Sequence, residues 1–165
     1  MRIVCFVPKA STDAAPRLGA LLPDDVHVLD LAVATAAAHE PVSFRDWYDL
    51  DGPCLPKALA FLRTLGGDPI GDAKRTAPSA VVPLADIRLL SPVPRPGKLI
   101  CIGLNYRDHA AESGVPVPSS PMTFSKYTTA VTHPAAPVYL PAVSQQVDYE
   151  AELGVVIGRR AKHVV

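Results

Sequence analysis

Two glutamates separated by one residue, Glu150 and Glu152, stand in the apolar run VDYEAELGVVIG of this 165-residue chain. Alternate side chains of a β-strand point to the same face, so a strand here places both carboxylates on one side. The wholly apolar GVVIG that follows favours a central strand over an edge strand. Two carboxylates in such a place need a neutralising partner, and oxygen ligands suit Mg²⁺, Mn²⁺ or Ca²⁺. The pair therefore predicts two metal ligands; solvated acids on an edge strand are the alternative.

A histidine and a glutamate three residues apart, His109 and Glu112 in DHAAE, form the second pattern. On a helix these side chains are neighbours. A carboxylate can orient an imidazole and raise its basicity, which equips the pair to activate a water as general base. An exposed helix pair without chemistry is the alternative.

The third candidate is Lys126 in FSKYTTAV, a lysine within an apolar run. It predicts either a contact to an anionic substrate or a side chain that extends to the surface. The chain contains no GxSxG nucleophile motif, no P-loop and no GxGxxG fingerprint.

The elements that position these residues follow from the apolar patterns. RIVCFV, RLGALL and HVLDLA predict a small antiparallel sheet at the start of the chain. Helices are predicted over residues 31–39 and 55–65, and the stretch 67–80 has the composition of a linker. Further on, KLICIG predicts a buried strand, NYRDHAAESG a short helix that ends before Gly114, and PMTFSKY another strand.

The overall composition narrows the classes of partner and compartment. The 16 basic and 16 acidic residues balance, which argues against binding to nucleic acid or an anionic membrane. The three scattered cysteines predict reduced thiols in a cytoplasmic protein. The sequence shows neither a signal peptide nor an apolar run of membrane-spanning length.

Three blocks in this order, PGKLICIGLNYRDHAAESG, PMTFSKYTTAV and VDYEAELGVVIGRRA, resemble the fumarylacetoacetate hydrolase family. The resemblance implies a mainly β, α+β fold: an incomplete mixed β-sandwich or roll behind a small N-terminal α+β domain. It implies a small N-terminal domain over residues 1–75, a lead-in over 76–97 and the first part of the catalytic domain over 98–165. It also implies a homodimer in the intact family member.

The same resemblance implies roles for the candidate residues. Glu150 and Glu152 match the family's two metal-binding glutamates, for Mg²⁺ or Mn²⁺, and His109 with Glu112 matches a pair on a lid over the substrate. Asp108 lies where longer members place a metal-binding aspartate, but it is not counted as a ligand. The family's later aspartate, the third metal ligand, has no counterpart here, so we expect a chain truncated within the catalytic domain.

The activity implied is metal-dependent C–C bond hydrolysis of a small β-dicarbonyl or 2-oxo acid, such as an acylpyruvate or fumarylacetoacetate. A dienedioate-type isomerase or decarboxylase is one alternative, since the same stabilised enolate serves those reactions. A non-catalytic fragment without the third metal ligand is the other.

Overall fold

The computed structural model describes residues 2–11, 13–35 and 47–164. These residues form seven β-strands and four α-helices in a mixed α+β fold, as the sequence predicts. An antiparallel five-stranded sheet lies in the first part of the chain and a two-stranded sheet in the second. We call residues 2–90 the N-terminal region and residues 98–164 the C-terminal region.

The five-stranded sheet has the order β4-β3-β2-β1-β5. The strands are β1 (Arg2–Pro8), β2 (Arg17–Leu21), β3 (His27–Asp30), β4 (Val81–Pro83) and β5 (Ile87–Leu90). The small antiparallel sheet predicted from the first three apolar runs is therefore confirmed. Its two edges, β4 and β5, come from the range predicted as a lead-in segment.

Three of the described helices pack on one face of this sheet: α1 (Leu31–Ala34), α2 (Cys54–Thr64) and α3 (Pro69–Thr76). The predicted helix over 31–39 begins as expected, while residues 36–39 lie outside the described residues. The predicted helix over 55–65 is confirmed. The buried residues between sheet and helices are Leu18, Ala20, Leu22, Leu29, Leu31, Trp47, Cys54, Ala58, Leu62, Ala73 and Ala80.

The prediction of a linker over 67–80 is wrong, because helix α3 occupies most of it. The Asp68 side chain accepts the Gly71 N–H over 3.0 Å, which caps the helix start. Pro69 stands at the first helical turn, where its missing N–H costs nothing. These local signals outweigh the low periodicity of the stretch.

The other face of the sheet carries a smaller buried cluster of Phe6, Val28 and Ile87. Gly19 lies beneath it, and a Cβ there would overlap the Val28 side chain and come within 2.9 Å of Phe6. The cluster thus fills the space that the missing side chain leaves.

The C-terminal region contains β6 (Ile100–Gly103), α4 (Arg107–Glu112) and β7 (Met122–Ser125). Strands β6 and β7 pair antiparallel, with Cys101 opposite Phe124. The two strands and the helix were all predicted, but the expected burial of KLICIG is wrong, since Ile100 is 61% exposed. Within the described ranges no element covers this sheet as the helices cover the first one. None of the described helices combines the length and the apolar character needed to cross a membrane.

Candidate functional site

Helix α4, which carries His109 and Glu112, follows β6 after a short turn. Leu104 begins the turn with a φ of 53°, a left-handed conformation that bulky residues rarely adopt. Gly114, with a φ of 65°, closes the helix. Its N–H donates to the Ala111 carbonyl, and the next N–H donates to Ala110, both over 3.1 Å, which is the Schellman arrangement.

The side chains of His109 and Glu112 are both exposed. In the part of the chain that the structure describes, no ion pair or hydrogen bond joins them. The backbone N–H of His109 donates to Oδ1 of the Asp108 side chain over 3.0 Å, a contact local to the first turn. The two residues lie on one helix, as predicted. A role of His109 as a base that Glu112 orients stays a prediction.

Glu150 and Glu152 lie on a stretch without strand structure, so the predicted central strand over VDYEAELGVVIG is wrong. Both carboxylates are exposed. A strand requires ladder hydrogen bonds to a neighbour, and none of the described strands pairs with residues 147–158. Without such a ladder, nothing fixes the alternation that was expected to place the two side chains on one face.

The donor chemistry of the two glutamates fits a hard cation, but their number does not complete a site. Neither carboxylate forms an ion pair within the described ranges, so both are accessible to a ligand. No group of three or more His, Cys, Asp or Glu side chains in those ranges lies close enough to hold a metal. A hard cation takes about six oxygens, of which this pair supplies a part.

Lys126 lies just after β7 rather than within a strand. Its N–H donates to the Leu99 carbonyl over 3.1 Å and extends the pairing of β6 and β7 by one residue. The side chain is exposed and borders an open depression of about 350 Å³ that Lys98, Ser125 and Thr128 also line. Lys98 was not singled out from the sequence; it lines the same depression because the pairing of β6 and β7 brings its neighbour Leu99 opposite Lys126.

Tyr106 joins the helix α4 segment to the glutamate segment, which sequence reasoning did not foresee. Its hydroxyl oxygen accepts the N–H of Leu153, the residue after Glu152, over 3.0 Å. Farther on, the Gly158 carbonyl accepts the N–H of Leu50 over 3.0 Å. These contacts span 47 and 108 residues, and no local sequence pattern signals them.

The fold and these residues define a mixed α+β protein with a histidine–glutamate helix and a carboxylate pair on a segment that is hydrogen-bonded to the tyrosine preceding that helix. Residues 98–165 match the family model described as fumarylacetoacetate (FAA) hydrolase, C-terminal. The chain belongs to the fumarylacetoacetate hydrolase family.

Two relatives and one solved structure illustrate the similarity. The mitochondrial oxaloacetate tautomerase fahd2 of Xenopus laevis is 35% identical over 166 residues, covering 99% of this chain and 46% of the frog protein. The human mitochondrial oxaloacetate tautomerase FAHD2A is 42% identical over 114 residues, covering 68% of this chain and 36% of the human one. A crystal structure of an HpcE-like protein from Mycobacterium smegmatis superposes with a TM-score of 0.51 at 29% identity, covering 86% of this chain and 41% of that chain. The chain thus spans less than half the length of each of these relatives.

Proposed function

We propose that this chain is part of an enzyme that transforms a small 2-oxo or β-dicarbonyl acid through a stabilised enolate. The single observation that carries the proposal is the ordered pair of motifs, His109 with Glu112 and Glu150 with Glu152, in a chain of this family. The Tyr106–Leu153 hydrogen bond supports it, because it ties the two motifs together in space.

In this proposal His109 accepts a proton at a ring nitrogen, and Glu112 one helical turn on accepts the N–H of the other nitrogen. For C–C bond hydrolysis the proton comes from a water, whose oxygen then attacks the substrate carbonyl. The bond to the neighbouring carbon breaks, and its electron pair remains as an enolate. The exposure of both side chains leaves them accessible to water and substrate.

Glu150 and Glu152 are proposed to contribute carboxylate oxygens to a divalent metal, Mg²⁺ or Mn²⁺. Such a cation, when bound, stabilises negative charge on a substrate oxygen. Lys126 is proposed to attract the substrate's carboxylate from the open depression at the end of β7. Lys98, which lines the same depression, adds a second positive charge.

A second reaction, keto–enol tautomerisation of oxaloacetate, is favoured by the names of the frog and human relatives. It uses the same base, which takes the proton from the carbon next to the ketone, instead of from water, and returns it to the enolate oxygen. The dienedioate-type isomerisation likewise moves a proton from one carbon to another through an enolate. Decarboxylation reaches the enolate by loss of CO₂, and the protonated base then supplies a proton to carbon.

The metal part of the proposal is tested by titrating the 165-residue chain with Mn²⁺ and following the free ion by electron paramagnetic resonance. We expect the Glu150→Gln/Glu152→Gln variant to bind at least about ten-fold more weakly than the parent. Asp13→Asn, which removes an exposed carboxylate in the N-terminal region, is the matched control. Equal affinity in all three proteins would overturn the assignment of these ligands.

The base is tested with His109→Ala in two assays, pyruvate release from an acylpyruvate and loss of the oxaloacetate enol absorbance. The expected fall in kcat is about 10²–10⁴-fold in whichever reaction the parent catalyses. His133→Ala is the control, since its ring already contacts the Pro134 carbonyl. Normal turnover by the His109 variant would rule out this role.

The alternative of a chain without activity of its own is supported by the lack of a third donor beside the glutamates in the described ranges. It predicts no Mn²⁺ binding and no turnover in any of these assays. Homodimer formation and a cytoplasmic location stay predictions; the frog and human relatives are named as mitochondrial proteins.

A further inference from the structure

The segment that carries Glu150 and Glu152 has no strand neighbour among the described elements, yet it is held at two points. The first is the hydrogen bond from the Leu153 N–H to the Tyr106 hydroxyl oxygen. The second is the hydrogen bond from the Leu50 N–H to the Gly158 carbonyl. Because no ladder of strand hydrogen bonds positions this segment, its position depends more strongly on these two contacts.

The first contact acts close to the carboxylates. Tyr106 directly precedes helix α4 and is its N-cap residue, and Leu153 directly follows Glu152. The phenol ring therefore links the backbone beside the second carboxylate to the start of the helix that carries His109. Its hydroxyl is the only polar group of that side chain, so one oxygen atom makes the link.

The second contact acts from the N-terminal region. A Cβ at Gly158 would lie 3.1 Å from Cγ of Leu50 and 3.2 Å from the Tyr48 carbonyl oxygen. The close approach therefore requires glycine or a shift of the neighbouring turn. The Arg159 guanidinium adds an exposed contact, with Nε donating to Oδ1 of Asp51 over 3.1 Å.

We propose that Tyr106 is a positioning residue that sets the place of the Glu150–Glu152 segment relative to helix α4, with Gly158 as the second anchor. The inference rests on the proposed function, because the groups it positions are the proposed ligands and base. Displacement of such groups by a fraction of an ångström weakens both metal binding and catalysis.

Amide hydrogen exchange tests the first anchor without any metal. Tyr106→Phe removes the hydroxyl and keeps the ring, so we expect the Leu153 amide to exchange about five-fold faster or more. Tyr149→Phe is the matched control, because it lies in the same segment with a side chain that is 90% exposed. It is expected to leave the Leu153 amide unchanged.

A pair of glycine substitutions tests the second anchor in the same way. Gly158→Ala places a methyl group against Leu50 and the Tyr48 carbonyl, and we expect the Leu50 amide to lose protection. Gly154→Ala is the matched control, since a Cβ there meets nothing within 4 Å. Both changes add one methyl group to the same segment.

The Mn²⁺ titration distinguishes positioning from a purely structural role. Tyr106→Phe is expected to weaken Mn²⁺ binding about ten-fold, with an unchanged midpoint of chemical unfolding for the whole chain. If Tyr106 had only a structural role, Tyr106→Phe would lower that midpoint and leave the Mn²⁺ affinity unchanged.

Each outcome decides between the two proposals. Equal Leu153 exchange in the parent and Tyr106→Phe, or equal Mn²⁺ affinity in both, overturns the positioning role and leaves the proposed function standing. A parent that shows the exchange pattern but binds no Mn²⁺ keeps the anchor and overturns the proposed metal site.

Discussion

The two sheets of this molecule are both built from apolar strands, yet they differ sharply in what covers them. In the N-terminal region helices α1, α2 and α3 pack on one face, a small cluster fills the other, and Phe6 is 1% exposed. In the C-terminal region Phe124 on β7 is 49% exposed, and Ala110 is the one buried apolar residue among residues 98–164 that the structure describes. Apolar sequence therefore establishes the strands, but burial requires a second layer.

The carboxylates of the two regions also differ in burial. Asp30 is a buried carboxylate with three hydrogen-bond partners, so its position follows from the fold around it. Glu150 and Glu152 are exposed and carry no ion pair in the described ranges, so their chemistry is available but their position depends on the Tyr106 and Gly158 contacts.

The largest expected contrast is between two phenylalanines. Phe6→Ala empties a buried site and should lower the free energy of unfolding by about 3–5 kcal/mol, whereas Phe124→Ala should cost less than about 1 kcal/mol. Urea denaturation followed by far-ultraviolet circular dichroism measures both. Equal losses would mean that the second sheet is covered in solution.

The cysteines offer a second contrast. Cys5 is fully buried, and burial raises the pKa of its thiol to about 12, although a hydrogen bond from the Phe6 backbone opposes this in part. Cys101 on β6 is half-buried. Iodoacetamide should modify Cys101 at least about 100-fold faster than Cys5 in the native protein, a ratio that mass spectrometry of tryptic peptides reports. Similar rates would show that the five-stranded sheet opens readily.

Asp30 and Asp108 each lie at the start of a helix, one in each region, so their substitution compares the two helix starts. Asp30 accepts the N–H groups of Ala32 and Val33, over 3.1 and 3.2 Å, and pairs with Arg17 over 2.8 Å. Asp30→Ala should therefore cost about 2 kcal/mol, and Asp108→Ala, at an exposed helix start, less than about 0.5 kcal/mol. Thermal unfolding of both variants checks this, and a larger loss for Asp108 would contradict it.

A separate prediction concerns the alkaline pH dependence of the N-terminal region. The pKa of the Cys5 thiol rises from an ordinary 9.0 to about 12 on folding. Below pH 9 the thiol is protonated in both states, so its contribution to stability is complete. Above pH 9 the unfolded chain loses this proton first, so stability falls by up to about 1.4 kcal/mol per pH unit until the folded thiol also ionises.

Denaturation midpoints measured between pH 8 and pH 11 test this. Cys5→Ser, which cannot ionise in that range, should reduce the slope. Burial also raises the pKa of the Tyr48 hydroxyl, which acts in the same direction, so the slope should diminish without vanishing. An unchanged slope in the serine variant would exclude Cys5 as a source.

Much of the local structure was predictable from the sequence. Strands β1, β2, β3, β6 and β7 follow from apolar runs and helix α2 from apolar periodicity. Helix α4 ends before Gly114, as predicted, where φ is 65°. The candidate residues were also identifiable, because carboxylate and imidazole chemistry and spacing are properties of the chain alone. The linker prediction failed where the Asp68 cap and Pro69 favoured a helix.

Tertiary structure decided what local pattern does not encode. The sequence predicted a strand for the glutamates and burial for KLICIG, but a strand needs a ladder partner and a buried face needs a covering layer. The Tyr106–Leu153 and Leu50–Gly158 hydrogen bonds join residues 47 and 108 positions apart. The sequence alone determined which groups can do chemistry; long-range contacts determined where they lie, because the energy of such a contact depends on both of its partners.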